Sequence, residues 1–239
     1  MRLCCSASYR NIGALQQLFL LFYSERLYIF EVFSFALRYR VLHGPNQWPE
    51  TPLFRSTMEA YFSEVCLLGQ SLLPIFVTSF GLESNYFKSF QSNPFIIWRI
   101  MRYPPGVRTV EQFGTAPHTD FGTLTLLAQD DSDGLQLCLR DGQWISASVV
   151  KDAFAVNVNV GDLMACWTNV RFISTPHQVV NNSDSDRYSI PLFFNPSFDT
   201  VAKCLPTCQS ENNPSKYELI HYGDYLTKIY DGIFVPLDR

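Results

Sequence analysis

The chain has 239 residues, of which 47% are hydrophobic and 17% are charged, and its formal net charge is −4. This length fits one large domain or two small ones, and the apolar content suffices for a sizeable core, which excludes a chain that is disordered overall. The negative net charge argues against nucleic-acid binding, because neutralising phosphates requires clustered Lys and Arg. No uncharged apolar run reaches the roughly 18 residues that a transmembrane helix needs, so we predict no membrane association.

The seven cysteines are scattered through a chain that is large enough to fold without disulfide bonds. This usage is typical of a reducing compartment, so we expect a cytoplasmic protein, and we expect it to be a monomer. Cys204 and Cys208 have the spacing of half a metal clip. Because no second Cys or His pair stands at zinc-finger spacing, we interpret both as ordinary reduced cysteines.

Three regions follow one another along the chain. Residues 1–40 are aromatic and apolar with scattered charges, which favours a packed helix. Residues 41–94 form a predicted helical layer, because apolar side chains recur close to helical spacing from Leu53 to Leu82. Pro74 falls inside this pattern and is expected to kink or end the helix. Residues 95–239 carry the short apolar runs and turn clusters that are typical of strands.

Closely spaced strands with little helix between them favour an antiparallel sandwich or barrel over an alternating βαβ fold. A final helix is predicted from Asp224 to Tyr230. The predicted fold class is therefore mixed α/β with a mainly β core and a helical layer before it. The predicted strands are Thr123–Ala128, Leu135–Leu139, Gln143–Ala147, Phe154–Val160 and Ser189–Asn195.

Two of the four histidines stand in informative positions. His118 and Asp120 form a His-x-Asp pair, and residues two apart on an extended chain face the same side. His177 follows Asp120 by 57 residues, which is enough for the chain to cross a sheet and return. Two histidines and one carboxylate can form a facial triad, which leaves one side of an octahedral metal open and suits non-haem Fe(II). Alone, a His-x-Asp pair also fits a surface histidine beside a turn aspartate.

A second pair of residues adds weight to a ligand-binding site. Arg187 stands ten residues after His177 and precedes Ser189 in the run RYSIPLFFNP. On a strand Arg187 and Ser189 share a face, and a guanidinium with a neighbouring hydroxyl can hold a carboxylate in two-pronged fashion. An arginine inside an apolar strand is costly unless it is paired, so we predict an anionic partner.

Eight short motifs follow one another between about Phe95 and Tyr230: RYPP, HTDFGTLTLLAQDD, DGLQL, WISA, NVGDLMACWTN, FISTPHQVVN, RYSIPLFFNP and GDYL. In these motifs the chain resembles the isopenicillin N synthase-like family of Fe(II)- and 2-oxoglutarate-dependent dioxygenases. An upstream stretch, GPNQWPETPLFR followed by a predicted helix, is also similar to the family. Together these segments cover roughly three-quarters of the chain, and their combined spacing is highly specific.

The resemblance implies a double-stranded β-helix, also called a jelly roll or cupin-like core, with flanking N-terminal helices and a C-terminal helix. It implies an oxidoreductase that hydroxylates or desaturates a small organic molecule, a reaction expected in secondary metabolism. The implied co-substrates are O2 and 2-oxoglutarate, which are converted to succinate and CO2, and ascorbate is expected to support the reaction.

The resemblance also assigns site residues, and it assigns no catalytic residue beyond the metal site. The implied Fe(II) ligands are His118, Asp120 and His177. Arg187 and Ser189 would hold the distal carboxylate of 2-oxoglutarate. Tyr103 stands where many members have a tyrosine that touches the co-substrate, and a core tyrosine is the alternative. Many members have Asn two residues before that tyrosine, whereas this chain has Met101.

The chain departs from the family at its start. Members carry an early strand of the GFFYLVNHGI type, and Met1–Arg40 contains no such segment. The residues of Met1–Arg40 do not alternate between polar and apolar as in a strand. We therefore expect this segment to form a helix that lies over the core and does not replace the missing strand of the sheet. The substrate pocket would then be open to water, and turnover would be weak. Two alternatives therefore stay open: a member that uses Fe(II) and O2 without 2-oxoglutarate, and a non-catalytic remnant.

Overall fold

A computed structural model describes residues 32–36, 45–88, 92–105, 113–148, 159–181 and 183–233 of the chain. These residues form antiparallel sheets of five, four and two strands together with three α-helices. The helices are α1 (Phe54–Ser79), α2 (Asp162–Trp167) and α3 (Tyr222–Ile233). The strands are β1 (Val32–Ala36), β2 (Pro94–Tyr103), β3 (Thr115–His118), β4 (Leu124–Gln129), β5 (Leu135–Cys138), β6 (Trp144–Ser146), β7 (Asn159–Val160), β8 (His177–Val179), β9 (Arg187–Ser197), β10 (Val201–Ala202) and β11 (Ile220–His221).

The two large sheets pack face to face. The larger has the strand order β1-β2-β9-β4-β7, and the smaller has the order β3-β8-β5-β6. Their inner faces meet in an apolar cluster in which Tyr103 of β2 packs with Leu135 of β5 and Val179 of β8. This double-sheet architecture is a jelly roll. The predicted fold class, with its mainly β core and C-terminal helix, is confirmed.

The outer face of the larger sheet is covered by α1. By length and composition α1 could cross a membrane. In the fold, however, one of its faces is buried against the sheet, which is the arrangement of a core helix. The buried residues are Phe54, Met58, Tyr61, Val65, Cys66, Gly69, Leu72, Leu73 and Val77.

Pro74 lies inside α1, and the helix continues through it to Ser79. The expectation that the helix could end there is wrong. A proline in a helix interior removes one backbone hydrogen bond and costs about 3 kcal/mol. Leu73 and Val77 flank it and are buried in the core, so their packing holds the last turn of the helix against the sheet.

Strands β4, β5, β6 and β9 coincide within a few residues with four of the predicted strands. Of the fifth, Phe154–Val160, the structure describes only Asn159 and Val160, which form β7. We predicted no strand where β2 lies. Its run PFIIWRIMRY is nearly continuous in apolar residues, which is the pattern of a strand buried on both faces, and periodicity alone does not distinguish it from a buried helix.

Within Met1–Arg40 the structure describes only Val32–Ala36, and this segment is β1. It pairs antiparallel with β2, from Val32 opposite Met101 to Ala36 opposite Ile97. Over these five residues the prediction of a helix that leaves the sheet unrestored is wrong, because the sequence VFSFA is rich in residues that favour strands and the edge of β2 offers unpaired backbone groups. The rest of this predicted helix lies outside the described residues.

Candidate metal and carboxylate site

Strand pairing brings the two histidines together. His118 ends β3 and lies directly opposite His177, which begins β8, with their ring centroids 4.2 Å apart. Asp120 follows β3 by two residues, and its Oδ1 is 3.9 Å from Nε2 of His118 and 3.8 Å from Nε2 of His177. One ligand atom from each residue lies within 4.8 Å of the other two. Two ligand atoms that are each about 2.1 Å from a shared ion lie at most about 4.2 Å apart, so the three groups need to move only slightly closer together to bind one ion.

Backbone carbonyls orient both imidazoles. Nδ1 of His118 is 2.9 Å from the carbonyl oxygen of Ala116, and Nδ1 of His177 is 3.1 Å from that of Thr175. A carbonyl can only accept a hydrogen bond, so each Nδ1 carries the proton and each Nε2 presents its lone pair. These contacts fix the tautomer that metal coordination through Nε2 needs.

Burial lowers the pKa of His177 below its usual value. The nearby Asp120 carboxylate acts in the opposite direction and favours the protonated ring, while His118 adds to the lowering. Burial is the largest cause, and it favours the neutral form of the imidazole. Only the neutral form can bind a metal, because protonation occupies the same lone pair.

Asp120 is 6% exposed and is held at both its side chain and its backbone. The hydroxyl of Thr125 on β4 donates a hydrogen bond of 2.6 Å to Oδ2. The backbone N–H of Asp162, at the start of α2, donates to the Asp120 carbonyl at 2.8 Å. With Oδ2 occupied by Thr125, Oδ1 is the oxygen that faces the two histidines.

Two glycines allow the Asp120 loop to approach α2 closely. A Cβ atom at Gly161 would clash with the backbone of Gly122, and a Cβ at Gly122 would clash with the side chain of Asn195. The backbone N–H of Gly161 donates to the carbonyl of Thr123 at 3.1 Å, and the Asn195 Oδ1 accepts from the Thr123 N–H at 3.0 Å. The loop that carries Asp120 is therefore fixed from two sides.

Arg187 lies at the start of β9 and is fully buried. Its Nη2 donates to Oε1 of Gln129 on β4 at 2.5 Å, and its guanidinium carbon lies 5.1 Å from the centre of the Tyr103 ring. Its Nε and Nη1 are buried, and they have no hydrogen-bond partner among the described residues. Burial lowers the pKa of Arg187, while nearby Tyr103 and, to a smaller extent, Asp130 act in the opposite direction. Arginine nevertheless stays charged in proteins, so this is a buried cation with donors to spare.

The remaining predicted residues line the same inner face. Ser189 is 2% exposed and pairs in register with Met101 on one side and Gln129 on the other. Tyr103 is opposite Arg187, and its hydroxyl is 3.4 Å from the Met101 sulfur and 3.2 Å from the Thr115 hydroxyl. Met101 therefore occupies the place of the expected asparagine with a weak acceptor for this hydroxyl.

The structure thus gathers the six predicted residues on the two facing sheets. The metal-site residues cluster at β3 and β8, and the carboxylate-site residues cluster at β2 and β9. Their roles as ligands remain predictions. The predicted residues are His118, Asp120, His177, Arg187, Ser189 and Tyr103.

Two polar residues of the site were missed from the sequence, Thr125 and Gln129. Both lie on the inner face of β4, on either side of Leu127, which packs into the inner apolar cluster. The signal that could have identified them is alternation: Leu124, Leu126 and Ala128 form the other, core-facing set of β4.

The 2OG-Fe(II) oxygenase superfamily matches residues 85–196 of the chain. The 2-oxoglutarate-Fe(II) type oxidoreductase hxnY of Emericella nidulans is 36% identical over 218 residues, which cover 86% of this chain and 62% of that protein. Homoarginine-6-hydroxylase 2-ODD-C23 of Glycine max is 34% identical over 199 residues, which cover 79% of this chain and 59% of that protein. The chain therefore spans about three-fifths of the length of these curated relatives.

Solved structures agree with this assignment. A full-length Neurospora crassa protein in complex with alpha-KG and 5-formyluracil matches with a TM-score of 0.77 and 30% identity, over 85% of this chain and 69% of that one. Rice dioxygenase for auxin oxidation matches with a TM-score of 0.67 and 25% identity, over 77% of this chain and 60% of that one. The jelly roll and its His-Asp-His cluster define a metal-dependent oxygenase scaffold. The chain belongs to the 2OG-Fe(II) oxygenase superfamily, and the family inferred from its motifs is confirmed.

Proposed function

We propose that this chain acts as an Fe(II)- and 2-oxoglutarate-dependent oxygenase that oxidises a small organic molecule. The observation that carries the proposal is the buried Arg187, whose Nε and Nη1 have no hydrogen-bond partner among the described residues. Arg187 lies on the sheet that faces the His-Asp-His cluster. A buried cation with free donors suits an anion, and the metal cluster suits Fe(II), the metal of this superfamily.

Each residue would have a defined task. His118 and His177 would bind Fe(II) through Nε2, and Asp120 would bind it through Oδ1, because Thr125 occupies Oδ2. When bound, Fe(II) and 2-oxoglutarate supply the oxidation by O2, with succinate and CO2 as co-products. Arg187 would hold the distal carboxylate.

Apolar groups would keep water from the co-substrate. Tyr103, Leu135 and Val179 form the buried cluster between the sheets, and Met101 and Leu127 pack against it. A dry environment strengthens the pairing of the Arg187 guanidinium with a carboxylate, because the effective dielectric constant is lower than in water. We therefore expect Arg187 to bind the carboxylate of 2-oxoglutarate more strongly than an exposed arginine would.

The primary substrate would enter beside the histidines. Leu137 and Ile145 continue the row of directly opposed residues that starts with His118 and His177, so all four side chains share one face of the smaller sheet. Ile145 is 37% exposed. An apolar surface at this point favours a substrate with an apolar portion.

The names of the relatives do not select one substrate. They include a homoarginine-6-hydroxylase, a kihadalactone A synthase and a Neurospora crassa protein in complex with alpha-KG and thymine. These names indicate different kinds of small molecule. We therefore propose a small organic substrate and leave its identity to experiment.

We also propose a role in secondary metabolism. From the sequence we further propose a cytoplasmic monomer without nucleic-acid or membrane partners.

The test is incubation of the chain with Fe(II), ascorbate and 2-oxoglutarate, followed by measurement of succinate and O2 consumption. We expect succinate formation that rises when a suitable small molecule is added and that disappears in Asp120→Ala. O2 uptake without succinate would favour a family member that does not use 2-oxoglutarate. Absence of O2 uptake across a substrate panel would favour a non-catalytic remnant.

A further inference from the structure

Gln129 and Arg187 form a side-chain pair across β4 and β9. Gln129 lies directly opposite Ser189, and Arg187 is two residues from Ser189, so all three side chains point to the same side of the sheet. Nη2 of Arg187 donates to Oε1 of Gln129 at 2.5 Å. Neither the metal site nor the apolar core explains this pairing.

The orientation of the Gln129 amide follows from the chemistry of its partner. A guanidinium has five N–H donors and no acceptor, so only the amide oxygen can face it. Nε2 must then point away from that nitrogen. Nε2 of Gln129 is buried, and it has no hydrogen-bond partner within the described ranges, as is true of Nε and Nη1 of Arg187.

The buried polar groups of Gln129 and Arg187 that lack a partner among the described residues are all hydrogen-bond donors. Nε2 of Gln129 and Nε and Nη1 of Arg187 all carry N–H groups, and the Ser189 hydroxyl on the same face can also donate. Buried polar groups are almost always hydrogen-bonded, so a cluster of buried donors indicates an acceptor that completes it. A carboxylate has about four acceptor sites and no donor, which matches this set.

We propose that Gln129 is a binding and positioning residue for the distal carboxylate of 2-oxoglutarate. Its Oε1 holds the Arg187 guanidinium in place, and its Nε2 donates a hydrogen bond to the same carboxylate that Arg187 binds. This inference rests on the proposed use of 2-oxoglutarate and extends the carboxylate site from β9 to β4.

The Arg187 side chain packs closely against Gly134. A Cβ atom at Gly134 would lie 3.2 Å from Cδ and 3.3 Å from Nε of Arg187, tighter than most such contacts. Its φ of 140° is also a value that side chains of L-residues rarely adopt. The guanidinium is therefore confined by Gly134 on one side, the Tyr103 ring on another and Gln129 at its tip.

The test is binding of 2-oxoglutarate to the full chain loaded with Mn(II) instead of Fe(II), measured by calorimetry without turnover. Gln129→Glu keeps an acceptor for Arg187 and replaces the donor with a negative charge. We expect its dissociation constant for 2-oxoglutarate to rise about tenfold or more, as the loss of a hydrogen bond to a charged group implies. Gln129→Asn, with a shorter amide, should show a smaller rise, and Mn(II) affinity should stay within about twofold in both variants.

Gln136→Glu is the matched control. Like Gln129, Gln136 lies in a strand, and its Oε1 accepts a hydrogen bond, in this case from Gln178 at 2.6 Å. Unlike Gln129, it lies on the face of its sheet opposite the histidines. The Gln136→Glu substitution should therefore leave the dissociation constant for 2-oxoglutarate unchanged. Melting temperatures of all variants verify that they are folded.

The outcomes separate the two proposals. Unchanged 2-oxoglutarate binding in folded Gln129→Glu, alongside weakened binding in Arg187→Lys, would overturn the role of Gln129 and leave the proposed function standing. Failure of the unaltered Mn(II)-loaded chain to bind 2-oxoglutarate would overturn the proposed function, and the role of Gln129 with it. Weakened binding in Gln129→Glu and normal binding in Gln136→Glu support the inference.

Discussion

Thr125 and Gln129 lie four residues apart on one face of β4, and each holds a side chain from a different part of the site. Thr125 bonds the carboxylate of Asp120, and Gln129 bonds the guanidinium of Arg187. At about 3.3 Å per residue their Cα atoms are roughly 13 Å apart. A single strand, paired along its length with β9, therefore sets the distance between the candidate metal ligands and Arg187.

Replacing Thr125 should weaken metal binding. Thr125→Val keeps the shape of the side chain and removes the hydrogen bond to Oδ2 of Asp120. Loss of such a supporting contact costs about 10- to 100-fold in metal affinity, so we expect a decrease of this size in calorimetric titrations with Mn(II). Thr78→Val on the exposed side of α1 is the control. Equal metal affinity in the two variants would show that Thr125 does not orient Asp120.

Replacing Arg187 with lysine should affect 2-oxoglutarate far more than the metal. Lysine keeps the positive charge but replaces the planar fork with a single ammonium. We expect the 2-oxoglutarate concentration for half-maximal succinate formation to rise at least about tenfold, with Mn(II) binding unchanged. Arg55→Lys, in an exposed ion pair with Glu59, is the control and should behave like the unaltered chain. An unaltered 2-oxoglutarate requirement in Arg187→Lys would favour a family member that does not use this co-substrate.

A methyl group at position 161 should disturb the metal site through the backbone. Gly161 has φ −79° and ψ 175°, which alanine adopts without strain, so the effect of Gly161→Ala is steric. Its Cβ would clash with the carbonyl of Gly122 and displace the Asp120 loop. We expect a loss of about 2 kcal/mol or more in unfolding free energy, together with weaker Mn(II) binding. Gly142→Ala, with open space around its Cβ, should cost only the roughly 1–2 kcal/mol of its left-handed backbone and leave Mn(II) affinity intact.

Cys66 should resist alkylation in the folded chain. Burial raises the pKa of the Cys66 thiol to about 12. At pH 8 only on the order of 10⁻⁴ of it is thiolate, which is the reactive form. We expect iodoacetamide to modify Cys66 slowly in the native chain and quickly in urea, as measured by peptide mass spectrometry. Partly exposed Cys138 provides the internal reference, and similar native labelling at both positions would contradict the burial of Cys66.

The same shift has a consequence for stability at high pH. The folded chain keeps the Cys66 proton up to a pKa of about 12, whereas the unfolded chain loses it near the ordinary value of 9.0. The unfolded state therefore binds fewer protons between these values, and the contribution of Cys66 to stability decreases as the pH rises above 9. Below pH 9 this contribution is fully present.

The sequence predicts the clustering of His118, Asp120 and His177 better than it predicts the residues that hold them. His118, Asp120 and His177 stand in motifs whose spacing is characteristic, so they could be named without a structure. The contact of Gln129 with Arg187 joins residues 58 positions apart and depends on the register of β4 against β9. Register is set by the packing of whole faces, which a single sequence does not display.

Some strands could be predicted from the sequence and others could not. Short strands bounded by turns, such as β5 and β6, were predicted because their turn residues punctuate the sequence. Strand β2 was missed because its buried apolar run lacks alternation, and β1 was missed because the aromatic segment around it resembles a packed helix. In both cases tertiary pairing, between β1 and β2 and between β2 and β9, decides the local structure.

The alternation of β9 links folding and chemistry in one strand. Arg187 and Ser189 lie on the inner face of the sheet, whereas Ile190 and Leu192 face α1 in the core. Inserting or deleting a single residue before Arg187 that shifted the strand by one position would exchange the two faces. The guanidinium would then lie against the helix, and the core side chains of Ile190 and Leu192 would lie on the face that carries the candidate site. A change of length in this region therefore keeps each side chain on its own face only if a loop absorbs it, or if it shifts the strand by two residues.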